Sequence, residues 1–222
     1  MKLIVIILSL RMKYKLICFD LDGVIFKEPN FWLELHKKFG TFEKGKKLTE
    51  EHLHNDYEKL VEEVVSKLWK GRDAGPYYEL VDSVEYNKGV KEVFDFIKKN
   101  KIISAIVSSS SIDVVKRVKR DFQVDYIFAN KLVIKDGKVS GEFVWPIGAG
   151  KENKARIIRE LCNNLGIKTE ECIYIGDSDV DIEAFKEVGL SIAFNSDSDE
   201  LKKVATCVVN NNNLSEILKY VK

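Results

Sequence analysis

Tyr14-Lys15-Leu16-Ile17-Cys18-Phe19-Asp20-Leu21-Asp22-Gly23-Val24-Ile25 is the stretch on which the fold turns. Its apolar, β-favouring run stops at two aspartates, and Gly23 follows them with a turn signal, so it reads as a buried strand ending at Asp20 and Asp22. In an open α/β sheet, ligands bind beyond the carboxyl ends of the strands, where two carboxylates can share a metal or a reacting group. Asp and Gly also punctuate ordinary turns, and the pair alone leaves both readings open.

Beyond Asn87 the chain alternates between helix and strand periods. Val90, Val93, Phe94 and Ile97 mark an amphipathic helix. Ile102 to Val107 reads as a strand running into Ser108-Ser109-Ser110-Ser111, followed by a helix to Phe122 and a strand from Tyr126 to Ala129. Asp136-Gly137, between Leu132–Lys135 and Lys138–Val144, is a strong hairpin signal within residues 131–144. A helix from Lys154 to Leu165 precedes a strand at Cys172 to Ile175, which enters Gly176-Asp177-Ser178-Asp179-Val180-Asp181. Strand-helix-strand alternation implies a parallel sheet, hence an α/β core over residues 12–27 and 87–222.

Residues 28–86 differ. Phe31, Leu35 and Phe39 recur every four residues, and Leu53, Tyr57, Leu60, Val61, Val64, Val65 and Leu68 keep a helical rhythm that predicts one long helix, ended by Gly71, Gly75 and Pro76. The segment is expected to be a helical insert. Its histidines, His36, His52 and His54, lack metal-ligand spacing and read as surface residues.

The 222 residues suit one medium domain or a core with a smaller insert, and 45% hydrophobic residues mark a globular protein. A formal charge of +1 removes the electrostatic footprint of a nucleic-acid binder. Cys18, Cys162, Cys172 and Cys207 have no C-x-x-C spacing and fall within expected strands or a helix, as buried thiols in a reducing, cytoplasmic setting do. The apolar run Leu3 to Leu10 is too short to span a bilayer, and no membrane association is expected. With Met12 directly before the first core strand, residues 1–11 read as an N-terminal extension.

In a parallel sheet Asp20, Asp22, Ser108, Lys154, Asp177 and Asp181 all fall at one edge, so residues distant in the chain converge on one cleft. Several carboxylates with one lysine and one hydroxyl suit a magnesium site that handles a phosphoryl group.

Asp20-Leu21-Asp22-Gly23-Val24, the strand ending in Ser108, Lys154, and Gly176-Asp177-Ser178 with Asp181 together resemble the four ordered motifs of the haloacid dehalogenase superfamily. Within it the chain is most similar to phosphoserine phosphatases, through Phe128 to Lys138, Ile173 to Phe194 and Leu214 to Val221. Gly23, Ser109 and Val180 depart from the residues usual there. The resemblance implies a Rossmann-like core with an inserted helical cap, and hydrolysis of a small phosphorylated metabolite through an aspartyl-phosphate. Asp20 is then the nucleophile and Asp22 the general acid and base. Magnesium is held by Asp20, Asp177 and the Asp22 carbonyl, with Asp181 ordering a bound water or Lys154.

Ser108 and the backbone of Ser109 are expected to bind the phosphoryl group. Lys154 is preferred over Lys151 as the phosphate lysine, because it shares the buried stripe of Ile157 and Ile158. For a substrate such as O-phosphoserine, Arg72 is the candidate partner of the carboxylate and Glu28 of the ammonium. Other phosphate esters (sugar phosphates, nucleotides, phosphoglycolate), phosphotransfer to another alcohol, and a receiver-like phospho-switch are the alternatives. Oligomeric state is not legible.

Overall fold

The computed structural model describes residues 12–28 and 30–221, so the expected extension at 1–11 lies outside the described residues. Its centre is β1 (Leu16–Phe19), in which every residue is fully buried. Side chains alternate across a strand. Ile17 and Phe19 accordingly join one apolar cluster, and Leu16 and Cys18 the other.

After β1 the chain forms α1 (Phe31–Lys38), α2 (Phe42–His52), α3 (Tyr57–Val61) and α4 (Gly75–Ser83). α3 runs into a π-helix at Glu62–Trp69. The single long helix expected from Leu53 is therefore two pieces. Leu53 caps α2, and Asp56 starts α3 by accepting from the backbone N–H of Lys59 at 3.0 Å. The chain leaves and re-enters the sheet through paired segments, with Lys27 N–H donating to the Glu85 carbonyl and Asn87 N–H to that of Ile25.

The remainder is α5 (Val90–Asn100), β2 (Ile103–Ser111), α6 (Ile112–Phe122), β3 (Tyr126–Lys135), β4 (Lys138–Val144), α7 (Glu152–Leu165), β5 (Cys172–Gly176), α8 (Ile182–Glu187), β6 (Leu190–Phe194), α9 (Asp199–Val204) and β7 (Cys207–Val209). A 3₁₀-helix at Leu214–Lys219 follows. The seven strands form one sheet in the order β4-β3-β2-β1-β5-β6-β7, parallel except for the β3–β4 hairpin. Leu16 pairs with Ile103 on one side and Cys172 on the other.

β3 continues without a break through Lys131 into the hairpin, whose turn residues Asp136 and Gly137 both have positive φ, as a primed turn requires. The outer edge of β4 is covered by the return segment, where Gly71 N–H donates to Val139 O at 2.8 Å and Val139 N–H to Arg72 O at 2.9 Å. Among the described residues no helix is long and apolar enough to cross a membrane.

Candidate active site

β1, β2 and β5 are parallel neighbours, so their carboxyl ends open on one side, and the inserted helices stand over that side. Asp20 follows β1 and accepts from its neighbour, with Leu21 N–H 2.7 Å from Oδ1. The turn beyond is fixed by Asn87, whose Nδ2 lies 3.2, 2.9 and 3.1 Å from the carbonyls of Gly23, Val24 and Phe26. Gly23 has a φ of +73°, and a Cβ there would run into the Asp177 carboxylate.

Lys154 comes from the opposite direction, on the buried stripe of α7 with Ala155, Ile157 and Ile158. Its Nζ is fully buried and lies 2.8 Å from Asp20 Oδ2 and 2.7 Å from Asp181 Oδ1. Burial alone would lower its pKa, but the charges of Asp181 and Asp20 outweigh that and hold the ammonium protonated. Lys151, one turn earlier, is half-buried at the helix entrance and makes no such pair.

Asp181 is saturated. Its Oδ1 also accepts from the Tyr174 hydroxyl at 2.8 Å, and its Oδ2 from the backbone N–H groups of Asp177 and Ser178 at 3.1 and 3.3 Å. A Cβ at Gly176 would strike this carboxylate. Asp20, Asp177 and Asp181 each present an oxygen within 4.8 Å of the other two. Burial, then the charges of Asp20 and Asp181, drive the Asp177 carboxyl well above the usual carboxylate range. So concentrated a negative charge suits a small, hard cation with oxygen ligands.

Asp22 takes a different partner. Its Oδ2 accepts from Phe31 N–H at 2.9 Å. Burial of its carboxyl, with the charge of Asp20 adding to it, pushes its pKa up to about 7 against the Phe31 hydrogen bond, the Ser110 hydroxyl and the Lys154 charge.

At the end of β2, Ser108 is buried and its Oγ accepts from Ser110 N–H at 3.2 Å, while Ser111 caps α6. The Ser109 carbonyl accepts from Trp32 Nε1 at 2.9 Å and Asn130 Nδ2 at 3.0 Å. Asn130 is fully buried, and its Nδ2 also lies 3.2 Å from the Tyr57 hydroxyl and 2.9 Å from Gly148 O. Its Oδ1 accepts from Ile147 and Gly148 N–H at 3.2 and 3.1 Å. One amide thus ties the strand end, the glycine loop and α3 together. Trp32, Tyr57, Asn130 and Tyr174 were not singled out from the sequence; the apolar rhythm registered only Tyr57, as one more core position.

These groups enclose a cleft of about 310 Å³ lined by Asp20, Asp22, Ser108, Ser109 and Asp177 from the sheet side, and by Asn30, Trp32, Leu53, His54 and Tyr57 from the insert. Two expected substrate residues do not line it. The Arg72 guanidinium turns inward, with Nε donating to Leu68 O at 2.9 Å and Nη1 to Phe39 O at 2.7 Å, and it stacks on the Phe39 ring. Glu28 stays outside the lining, its carbonyl accepting from Gly23 N–H at 2.9 Å and one carboxylate oxygen buried without a hydrogen bond.

His36 is also not a surface residue. It is 2% exposed, hydrogen-bonded through Nδ1 to Thr41 Oγ1 at 2.8 Å, and packed on Trp69. Gly45 leaves the room its ring needs.

A carboxylate cluster around one buried ammonium, at the strand ends of a sheet with a helical insert, defines the class. The chain belongs to the haloacid dehalogenase-like hydrolases, whose family model matches residues 37–221. The relatives it resembles along its length are phosphoserine phosphatases. That of Methanocaldococcus jannaschii is 32% identical over 213 residues, 95% of this chain and 99% of that protein. A solved phospho-aspartyl intermediate analogue of phosphoserine phosphatase superposes with a TM-score of 0.83 at 30% identity, covering 94% of this chain and 99% of the other. A substrate-bound phosphoserine phosphatase complex superposes with a TM-score of 0.84 at 29% identity, with the same coverage.

Proposed function

We propose that this protein is a magnesium-dependent phosphatase of the phosphoserine phosphatase type, hydrolysing a small phosphomonoester through an aspartyl-phosphate on Asp20. The observation that carries this reading is the buried Lys154 ammonium held between Asp20 Oδ2 and Asp181 Oδ1. It fixes Oδ2 of Asp20, while Oδ1, which accepts a single backbone hydrogen bond from Leu21, keeps a lone pair for attack on phosphorus. A carboxylate is ionised at neutral pH, so Asp20 needs no base to activate it.

Asp20, Asp177 and the backbone carbonyl of Asp22 would hold magnesium, and the clustered oxygens fit it. When bound, the ion supplies charge neutralisation between nucleophile and phosphate. Asp181 serves as a positioning residue, since each of its oxygens already accepts two hydrogen bonds. Lys154, the Ser108 hydroxyl and the backbone N–H groups of Ser109 and Ser110, at the end of β2, bind phosphoryl oxygens. Asp22, with a pKa near 7, protonates the leaving alcohol and then takes a proton from the attacking water. The first of these duties favours an enzyme over a receiver-like switch, which has no leaving alcohol to protonate.

We assign the helices between Phe31 and Ser83 to a cap over the cleft, with residues 12–27 and 87–222 as the core. Four free cysteines, three of them buried, support a cytoplasmic setting. Turnover of p-nitrophenyl phosphate with magnesium tests the function. Steady release of product is expected, with none from Asp20→Asn; a single stoichiometric labelling without turnover would overturn it in favour of a switch.

A further inference from the structure

We infer that the Tyr57 hydroxyl, with the His54 imidazole on the same side of the cleft, receives the carboxylate of a phosphoserine-like substrate, so that two neutral donors of the insert do the work expected of Arg72. The inference rests on the phosphatase reading above and names the residues that select its substrate.

A carboxylate taken out of water needs donors to replace its hydration. Among the described residues lining the cleft there is no lysine or arginine, and the Arg72 guanidinium is committed to the carbonyls of Leu68 and Phe39. The sheet side carries the groups proposed for metal and phosphoryl, so the rest of the substrate meets the insert, where Asn30, Trp32, Leu53, His54 and Tyr57 line the cleft. Leu53 has no side-chain donor. Trp32 Nε1 already donates to Ser109 O at 2.9 Å. Asn30 caps α1 through its Oδ1 and precedes Phe31, whose N–H holds Asp22, so it belongs to the end where the ester bond breaks. Tyr57 and His54 remain.

Tyr57, the first residue of α3, is fixed at both ends of its side chain. Its ring packs edge-on against Trp145 with centroids 5.3 Å apart, and its oxygen accepts from Asn130 Nδ2 at 3.2 Å. The same nitrogen donates to Ser109 O at 3.0 Å, so the hydroxyl stands close to the backbone proposed to bind the phosphoryl group. Only the ester oxygen and two carbons separate phosphorus from carboxylate in O-phosphoserine, so both ends must find partners within this one cleft of about 310 Å³. Among the described residues the Tyr57 proton has no acceptor, and burial pushes its pKa up, so the O–H stays available as a donor.

His54 follows the end of α2, and Lys151 and Asp179 face it with opposite charges. Burial and the Lys151 charge lower its pKa against the charge of Asp179, which leaves a neutral ring with one N–H to give. Hydrogen bonds to an ionised acceptor are stronger than neutral ones, and a site built to make them rejects an analogue that lacks the acceptor.

The test uses the full chain with magnesium and two esters, O-phospho-L-serine and O-phosphoethanolamine, which share the ammonium and the primary ester and differ only in the carboxylate. Expected is a kcat/KM for O-phosphoserine about tenfold or more above that for O-phosphoethanolamine. Tyr57→Phe, which deletes one oxygen, should bring that ratio down toward one, chiefly by raising KM for O-phosphoserine. His54→Ala should lower the ratio as well, whereas His54→Gln, which keeps an N–H donor, should hold it. No preference in the wild type, or a preference that Tyr57→Phe and His54→Ala preserve, would overturn the inference and leave the phosphatase reading standing. A loss shared equally by both esters preserves the ratio and counts against it in the same way. Turnover of neither ester, nor of p-nitrophenyl phosphate, would overturn the phosphatase reading itself.

Discussion

The backbone N–H of Phe31, the first residue of α1, donates to Asp22 Oδ2 at 2.9 Å. The carboxyl proposed as proton donor is thus held by the first turn of the inserted helices, and removing its charge should leave that packing intact. Asp22→Asn is expected to lower steady-state turnover about 10²- to 10⁴-fold with an unchanged circular dichroism spectrum. Because p-nitrophenolate leaves without a proton, the variant should still release one equivalent in a burst and then stall at the aspartyl-phosphate. Unchanged turnover would remove Asp22 from the acid-base role.

Lys154 neutralises two buried carboxylates at once. Lys154→Ala leaves both unpaired and is expected to cost about 3–5 kcal/mol of stability as well as activity. Lys151→Ala, at a half-buried helix start, should change neither substantially. Urea denaturation at pH 7 beside kinetics checks both, and a reversed ranking would move the phosphate-binding role to Lys151.

Magnesium should relieve the crowding of Asp20 and Asp177 and so stabilise the fold. At a hundredfold excess over Kd the gain is about 2.7 kcal/mol, read as a rise in Tm that is independent of turnover. Asp177→Asn should abolish the rise. Calcium, which prefers more ligands at longer distances, should restore little activity after chelation. Full activity in excess chelator would end the metal proposal.

His36 is buried neutral, with its pKa lowered to about 4 from 6.5, mainly by burial and then by the Arg72 charge. The unfolded chain then binds the proton more readily than the folded one. Stability from this group is full above pH 6.5 and is lost as pH falls from there to 4, by at most about 3 kcal/mol. His36→Gln should flatten the pH dependence of the unfolding free energy across that window. An equal slope in wild type and variant would show that His36 does not contribute.

How much of this was legible depended on whether chain spacing sets direction. Asp20, Asp22, Ser108, Lys154, Asp177 and Asp181 could be brought together on paper because parallel strands send their ends to one edge. Lys154 could be preferred over Lys151 because a helical stripe has a facing. Arg72 lies in an irregular return segment, where no period fixes the side chain, and it serves two carbonyls of the insert instead of the cleft. His36 read as exposed because its polarity was weighed, and not its place one residue from Leu35 on the buried face of α1. Asn130 gave no signal beyond a polar residue inside a strand run. Its three-way hydrogen bonding links segments whose proximity only the folded chain reveals.

β1, four buried residues near the start of the chain, has partners that are made late. Leu16 waits for Ile103 on one flank and for Cys172 on the other. During synthesis Asp20 therefore emerges long before Lys154, whose ammonium makes its burial tolerable, and until then Asp20 stays hydrated. Pairing so distant in sequence requires closing long loops before any contact rewards it, which slows folding. A nascent chain truncated before β5 would expose one flank of its central strand, the state in which strand edges recruit other chains. The order in which the site is built is thus set by where the middle strand lies in the sequence.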